Sequence, residues 1–479
     1  PFLLVLREKE KYCFGKRRLI FYLPSMNEPT NRKPRPPFSQ IIIYAIGQLG
    51  WSLASYGAIN LLVYFYLPPE TQEAALFPTY IFQGAILGVV TLLGLANSGG
   101  RIFDAITDPL IAGWSDRWES DTGKRKFFMA WAAAPMAICA YLLFYPIADG
   151  SGWMNEVWLI GMLFLFYFFF TLYVVPYTAL MSELGHHPED RMRISTAISV
   201  TWALGFLIGS SAYALQGVFE ASMESTQAFQ TVIMIFSVVA FIFMVIPVLF
   251  LQEKEYAMQE EQSISVRESL QTVWKNQNFR IFIFSDMLYW LALTFIQLGI
   301  SYYVTLLLGL EKDQASLFLL VGFVASFLLY APINYWVRKR GKKPVMLVAY
   351  GVFALLFLIL AVVDQIAFLG GALVIGLGLL SAFPLAAFGI IPNALIADLV
   401  FETKADNGQQ LSGMFYGSRN FMMKIGISLA NFLFPSFLLL GKSIDNPLGV
   451  KASAIAAFAF CLLSWWIFRQ YQGTETSES

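Results

Sequence analysis

The chain has 479 residues, of which 57% are hydrophobic, 16% aromatic and 13% charged, and its mean hydropathy is +0.60. An average soluble domain carries about 25% charged residues, so this composition describes a polytopic membrane protein. The formal net charge of zero argues against a nucleic-acid partner, and three scattered cysteines (Cys13, Cys139, Cys461) offer neither a disulfide framework nor a metal pattern.

Residue 1 is Pro and the first methionine is Met26. The stretch from Leu6 to Ile20 is basic, with apolar runs shorter than the core of about 7–15 residues that a signal peptide needs. Residues 1–25 read as an upstream extension, with a genuine basic cytoplasmic tail as the competing reading. Runs of about 20 apolar residues predict spans at 39–66, 80–112, 127–146, 155–181, 195–218 and 229–251. They resume at 280–308, 315–337, 344–363, 368–397, 411–440 and 450–469, twelve in all. Between the two sets, Gln252 to Asn278 is the only long polar insertion, with room for a short amphipathic helix near Val266–Trp274.

The expected division is therefore a cytoplasmic tail (1–37), a first six-helix bundle (38–252) and a central cytoplasmic linker (253–278). A second six-helix bundle (279–470) and a short cytoplasmic tail (471–479) follow. Arg117, Lys124, Arg125 and Lys126 follow span 2, Arg191 and Arg193 span 4, and Arg338 to Lys343 span 8. The segments Pro68–Pro78, Ala148–Glu156 and Glu220–Gln230 carry acids and no Lys or Arg. The positive-inside rule then places both termini in the cytoplasm. The halves echo one another: Pro176 to Leu184 ends span 4 in Ser-Glu-Leu, and Pro392 to Leu399 ends span 10 in Ala-Asp-Leu. Such repeats point to a solute site at the midplane, with the halves rocking about it.

The most informative run is Arg101-Ile-Phe-Asp-Ala-Ile-Thr-Asp-Pro109. It continues the apolar segment from Ile81 to Ala96, so Asp104 and Asp108 are expected at membrane depth. An ionisable side chain there costs roughly 2.5–3.5 kcal/mol. Four residues apart on a helix, their Cβ atoms stack about 5–6 Å from each other. Two carboxylates in a low dielectric repel, and a cation or proton relieves both. Pro109 cannot donate to the carbonyl of Ala105, and with the Thr107 hydroxyl this makes an oxygen set suited to Na⁺. A purely structural pairing with basic residues is the bland alternative.

Gly113-Trp-Ser-Asp-Arg117, followed by Gly123-Lys-Arg-Lys126, resembles the loop 2–3 signature of the major facilitator superfamily. The span-2 run is similar to that of the glycoside–pentoside–hexuronide:cation symporters, with a more distant resemblance to lysophospholipid carriers of animals. The resemblance implies an all-α membrane protein of twelve transmembrane helices in two pseudo-symmetric bundles. It implies that Asp104 and Asp108 bind the coupling cation, that Thr171 on span 4 lies beside it, that Lys424 on span 11 lies near the central cavity, and that Arg101 is the basic residue opening the span-2 motif, placed with Lys424 in the substrate-binding or coupling set. Where galactoside-transporting members place acids, this chain has Ser52, preceded by Trp51, and Val174. In the superfamily, residues such as Asp116, Arg117, Glu183 and Arg193 hold the cytoplasmic side closed; solvated topology charges are the alternative.

Tyr56, Tyr64, Tyr167, Tyr173, Tyr177, Tyr302, Tyr303 and Trp202 are aromatic candidates for a sugar face, with packing as the alternative. Tyr173 is placed with the substrate set. Asp286, Gln297 and Arg419 are polar groups at depth, which usually face a cavity. No nucleophile–base set supports an enzyme, and no phosphate loop supports a primary pump. His186 and His187 stand side by side in a polar loop and carry no role.

The expected function is Na⁺- or H⁺-coupled symport of a sugar, glycoside, uronate or related small organic solute. A cation-independent facilitator or a lipid or lysolipid carrier of the same fold is the alternative. No cofactor beyond the coupling cation is expected. The expected partners are the solute, the cation and the lipid bilayer of the plasma membrane (the inner membrane in a bacterium), with the monomer as the working unit.

Overall fold

The sequence forms helix along its long apolar runs, passing through single prolines such as Pro109, Pro176 and Pro332, and it breaks where Gly and Pro cluster. In a computed structural model describing residues 33–70, 76–86, 88–121, 123–185, 188–258, 273–407 and 412–472, those runs are helices. Helix α1 (Phe38–Tyr56) passes through a π segment (Gly57–Leu61) into α2 (Leu62–Tyr66). Then come α3 (Leu92–Arg117), α4 (Lys124–Leu142), α5 (Trp153–Leu184), α6 (Pro188–Ser210), α7 (Ala212–Glu220) and α8 (Ser225–Phe250). A four-residue α9 (Glu253–Tyr256) opens the linker. The second half holds α10 (Gln277–Tyr302, continued by a π segment, Tyr303–Leu307), α11 (Asp313–Arg340) and α12 (Lys342–Ala361). It ends with α13 (Gly371–Asn407), α14 (Ser412–Leu438) and α15 (Leu448–Arg469).

Nine helices among the described residues are long and apolar enough to cross a membrane. The interrupted α1–α2, the charge-bearing α3 and the basic-tipped α4 complete the twelve expected spans. The second span is shorter than the apolar run. Residues 80–86 and 88–91 are not helical, and α3 starts at Leu92, where the Thr91 hydroxyl accepts from Gly94 N at 3.1 Å. Gly88, at φ +79°, turns the chain just before it. Asp104 still falls mid-helix, about 18 Å along from Leu92 at 1.5 Å per residue. The amphipathic helix expected near Val266–Trp274 lies outside the described residues except at 273–274, as do His186 and His187.

Packing follows a pseudo-twofold. In the first half α1 packs on α6 and α8, α4 on α5 and α8, and α3 on α5. In the second, α10 packs on α14 and α15, α12 on α13 and α15, and α11 on α13. Between the halves α3 packs on α14, and correspondingly α6 and α7 pack on α11. Small residues allow the closest approaches: a Cβ at Gly50 would stand 2.7 Å from Ala240 O and Met244 N. Large apolar side chains such as Trp131, Ile138, Val238 and Leu328 are exposed, as a lipid-facing surface requires.

Candidate functional site

The midpoint of α3 meets α5 and α14 across the boundary between the halves. Asp104, fully buried, receives a hydrogen bond from Thr171 Oγ1 on α5 at 2.6 Å. Its other carboxylate oxygen lies 2.9 Å from Lys424 Nζ of α14 and 3.4 Å from Arg101 Nη1. Lys424 Nζ also stands 2.5 Å from Asp108 Oδ2, so one ammonium bridges both carboxylates. Thr107 Oγ1 donates back to Phe103 O and Asp104 O at 3.0 and 3.1 Å, and lies 3.3 Å from Thr171 Oγ1. Arg101 lies over the rings of Tyr167 and Phe170, 5.2 and 5.9 Å from their centroids, and its Nε has no hydrogen-bond partner among the described residues.

Two acids and two bases make this cluster formally neutral. Each charge sits where an unpaired one is costly, which is why four charged groups from two helices converge. The oxygen set (two carboxylates and the Thr171 hydroxyl) suits a hard monovalent cation or a proton, and the Lys424 ammonium holds the place between them. Asp104, Asp108, Thr107, Thr171, Arg101 and Lys424 are therefore brought together.

Other candidates lie elsewhere. Ser52 is buried against Gly205 and donates to Leu49 O at 3.1 Å. Tyr173 donates to Met244 O at 2.9 Å and packs on α8. Trp51 meets the Phe170 ring edge-on at 5.7 Å, so it adjoins the cluster through the ring that also lies under Arg101. Tyr56, Tyr64, Tyr173, Tyr177, Tyr302 and Tyr303 are all buried. Tyr44 and Tyr177 stack at 4.4 Å and exchange hydrogen bonds with each other's backbone carbonyls, a packing role. Asp286 and Arg419 hold each other by a two-point pair at 2.8 and 3.2 Å, with Arg419 Nη1 also donating to Asn393 Oδ1 at 2.9 Å. Gln297 is half-buried and lines a small cavity with Phe206 and Phe323.

At the end bearing the basic loops, the hub is Arg125. It donates from Nε and Nη2 to Glu183 Oε1 at 2.9 and 2.6 Å, from Nη2 to Asp116 at 2.5 Å and from Nη1 to Ser115 at 2.6 Å. Glu253 of α9 accepts from the Arg125 and Lys126 amides at 3.0 and 2.9 Å, capping α4 where Gly123 turns at φ +115°. Asp116 and Glu183 are thus joined, whereas Arg117 and Arg193 are exposed and outside this network. Arg125, Asp116, Glu183 and Ser115 all belong to the first half, and Glu253 to the start of the linker. In the second half Lys342 Nζ pairs with Asp398 at 2.5 Å, so the echoed span ends carry equivalent ion pairs.

Sequence reading missed Arg125 as the hub because four basic residues (Arg117, Lys124, Arg125 and Lys126) crowd that turn and spacing does not rank them. It also missed Asn97, whose Nδ2 donates to Asn431 Oδ1 at 2.7 Å and whose Oδ1 accepts from Tyr167 OH at 3.0 Å. Asn97 lies one helical turn before Arg101 on the same face, which was a usable signal.

Residues 43–467 match the family described as MFS/sugar transport protein. The chain belongs to this family. Among its relatives, the isoprimeverose transporter of Lactiplantibacillus pentosus is 23% identical over 421 residues, covering 86% of this chain and 82% of that protein. The glucuronide carrier protein homolog of Escherichia coli (strain K12) is 24% identical, covering 91% of this chain and 92% of its own. The crystal structure of a D-xylose-proton symporter superposes with a TM-score of 0.63 at 15% identity, covering 91% of this chain and 98% of that one. This MFS/sugar transport family member is an integral membrane transporter and not an enzyme, with the all-α architecture of the major facilitator fold.

Proposed function

We propose that the protein is a secondary active symporter coupling Na⁺ or H⁺ to a sugar, glycoside, uronate or related small organic solute. The observation that carries this reading is the Lys424 ammonium held jointly by Asp104 and Asp108 across the two halves. A cation or proton arriving at the carboxylates competes directly with Lys424. Its arrival leaves an ammonium unpaired at depth, which is costly until a solute offering acceptor oxygens engages it. Neither ligand alone is well accommodated, and that is the electrostatic basis of coupling. The halves 38–252 and 279–470 act as the rocking bodies, joined by 253–278, with the basic end and both termini in the cytoplasm. The names of the isoprimeverose and glucuronide relatives support a sugar-like solute.

The test is uptake of isoprimeverose, xylose and a glucuronide into proteoliposomes under an imposed Na⁺ or H⁺ gradient. Accumulation of one of them above equilibrium with one gradient is expected. Counterflow that ignores both gradients would instead identify a facilitator.

A further inference from the structure

Tryptophan in a membrane protein is enriched at the two interfaces, where the ring is apolar and the N–H meets water or headgroups. Trp51 and Trp290 depart from that pattern in the same way. Trp51 stands thirteen residues into α1 and Trp290 thirteen residues into α10, and these helices are equivalents under the pseudo-twofold. At 1.5 Å per residue each lies about 20 Å from its helix start, near the middle of a span. Both rings are half-buried, and both indole Nε1 atoms are buried without a hydrogen-bond partner among the described residues. No other tryptophan among those residues carries such an unmet N–H. An indole N–H donates only, so each needs an acceptor, and leaving it unmet in an interior is costly.

The helices set both the level and the direction of these rings. Lys424 is twelve residues into α14 and Thr171 thirteen from the end of α5, so the cation cluster stands at the level of the tryptophans. Trp51 meets the Phe170 ring edge-on, and that ring lies under Arg101. The first indole thus reaches the cluster from the first half, beside an Arg101 Nε that is also buried and unmet. On α10, Trp290 shares a face with Leu293 and Gln297, one and two turns further on. Both of these line the internal cavity that Phe206 of the first half also lines, so this face of α10 looks across the boundary. One turn the other way, Asp286 holds Arg419 of α14. The two indoles therefore border the space between the halves from opposite sides.

We propose that Trp290 is a solute-binding residue, the second-half counterpart of Trp51, and that the two indoles hold one oxygen-rich ring between the halves. The inference rests on the reading above that the protein carries a sugar-like solute. Each indole offers a flat apolar surface to the C–H face of a ring and an N–H to one of its oxygens. The three unmet groups named here, the two indole N–H groups and Arg101 Nε–H, are all donors, and the Lys424 ammonium is a fourth. The matching ligand is one rich in acceptor oxygens, a pyranose or its uronate. An acyl chain would leave both indole N–H groups unmet, which counts against the lysolipid alternative.

The test uses the full chain with Trp290→Phe and Trp51→Phe, each of which keeps an aromatic ring and deletes the N–H. Apparent affinities for isoprimeverose, xylose and a glucuronide come from counterflow in proteoliposomes, which needs no gradient. The rise in Tm at a fixed sugar concentration gives a second measure. Each variant should weaken binding of the transported sugar about fivefold to tenfold, the scale of one hydrogen bond. The sugar-free Tm should stay where it is, because the N–H has no protein partner to lose. Unchanged affinity in either variant, or a sugar-free Tm that falls along with the affinity, would overturn the pair. Should the pair fail while gradient-driven uptake persists, the symport reading stands. Uptake that ignores both gradients, with affinity still lost in both variants, would keep the pair and remove symport. A wild-type protein that binds none of the three sugars would overturn both.

Discussion

Replacing Asp108 by Asn tests the centre of the mechanism, because it removes one charge while keeping the side chain's shape. In the native cluster Lys424 Nζ lies 2.5 Å from Asp108 and 2.9 Å from Asp104. Unit charges about 3 Å apart interact by roughly 5–6 kcal/mol at an effective dielectric near 20. The Asp108 side chain is 32% exposed and that of Asp104 fully buried, so solvent screens Asp108 more. A net loss of about 3 kcal/mol is the reasonable figure, at the low end for breaking a buried pair. In D108N, Arg101 and Lys424 face Asp104 alone and the cluster carries one excess positive charge. A cation must then displace Lys424 with one carboxylate's attraction in place of two, so its affinity should fall roughly a hundredfold. The assay is the cation-activation curve and the accumulation ratio in proteoliposomes, with solute counterflow as the control for folding. Accumulation above equilibrium should vanish while counterflow persists. Uphill accumulation surviving in D108N would refute the role given to the paired carboxylates.

Lys424→Ala leaves two carboxylates facing Arg101 alone. Cation affinity should rise and coupled turnover should fall, and titration of both in the same vesicles would expose the idea as wrong if neither moved. Arg125→Gln strips Glu183 of its two-point partner and should cost about 3–5 kcal/mol, read as a lower apparent Tm. The double change R125M/E183L should recover part of that loss.

Much of this protein was legible in the chain itself. Apolar runs point to twelve spans, nine of which are helices long and apolar enough to cross a membrane among the described residues, because a bilayer demands about 20 apolar residues per crossing whatever the neighbours are. Asp104, Asp108 and Thr107 could be placed on one helix from local spacing, since i and i+4 positions share a face in any α-helix. The start of the second span was not legible, because an apolar run carries no sign of where glycine turns it. Nor was the choice of Arg125 among its basic neighbours, or the pairing of Asp286 with Arg419 rather than its opening to a cavity. Asn97 and Asn431 are 334 positions apart, and Lys424 meets Asp108 over a similar separation. Which of several polar groups at equal depth meet is set by how the two halves pack, and that depends on helix rotation about axes that periodicity leaves free. Sequence determined what the membrane must hide; tertiary packing alone decided which charge hides which.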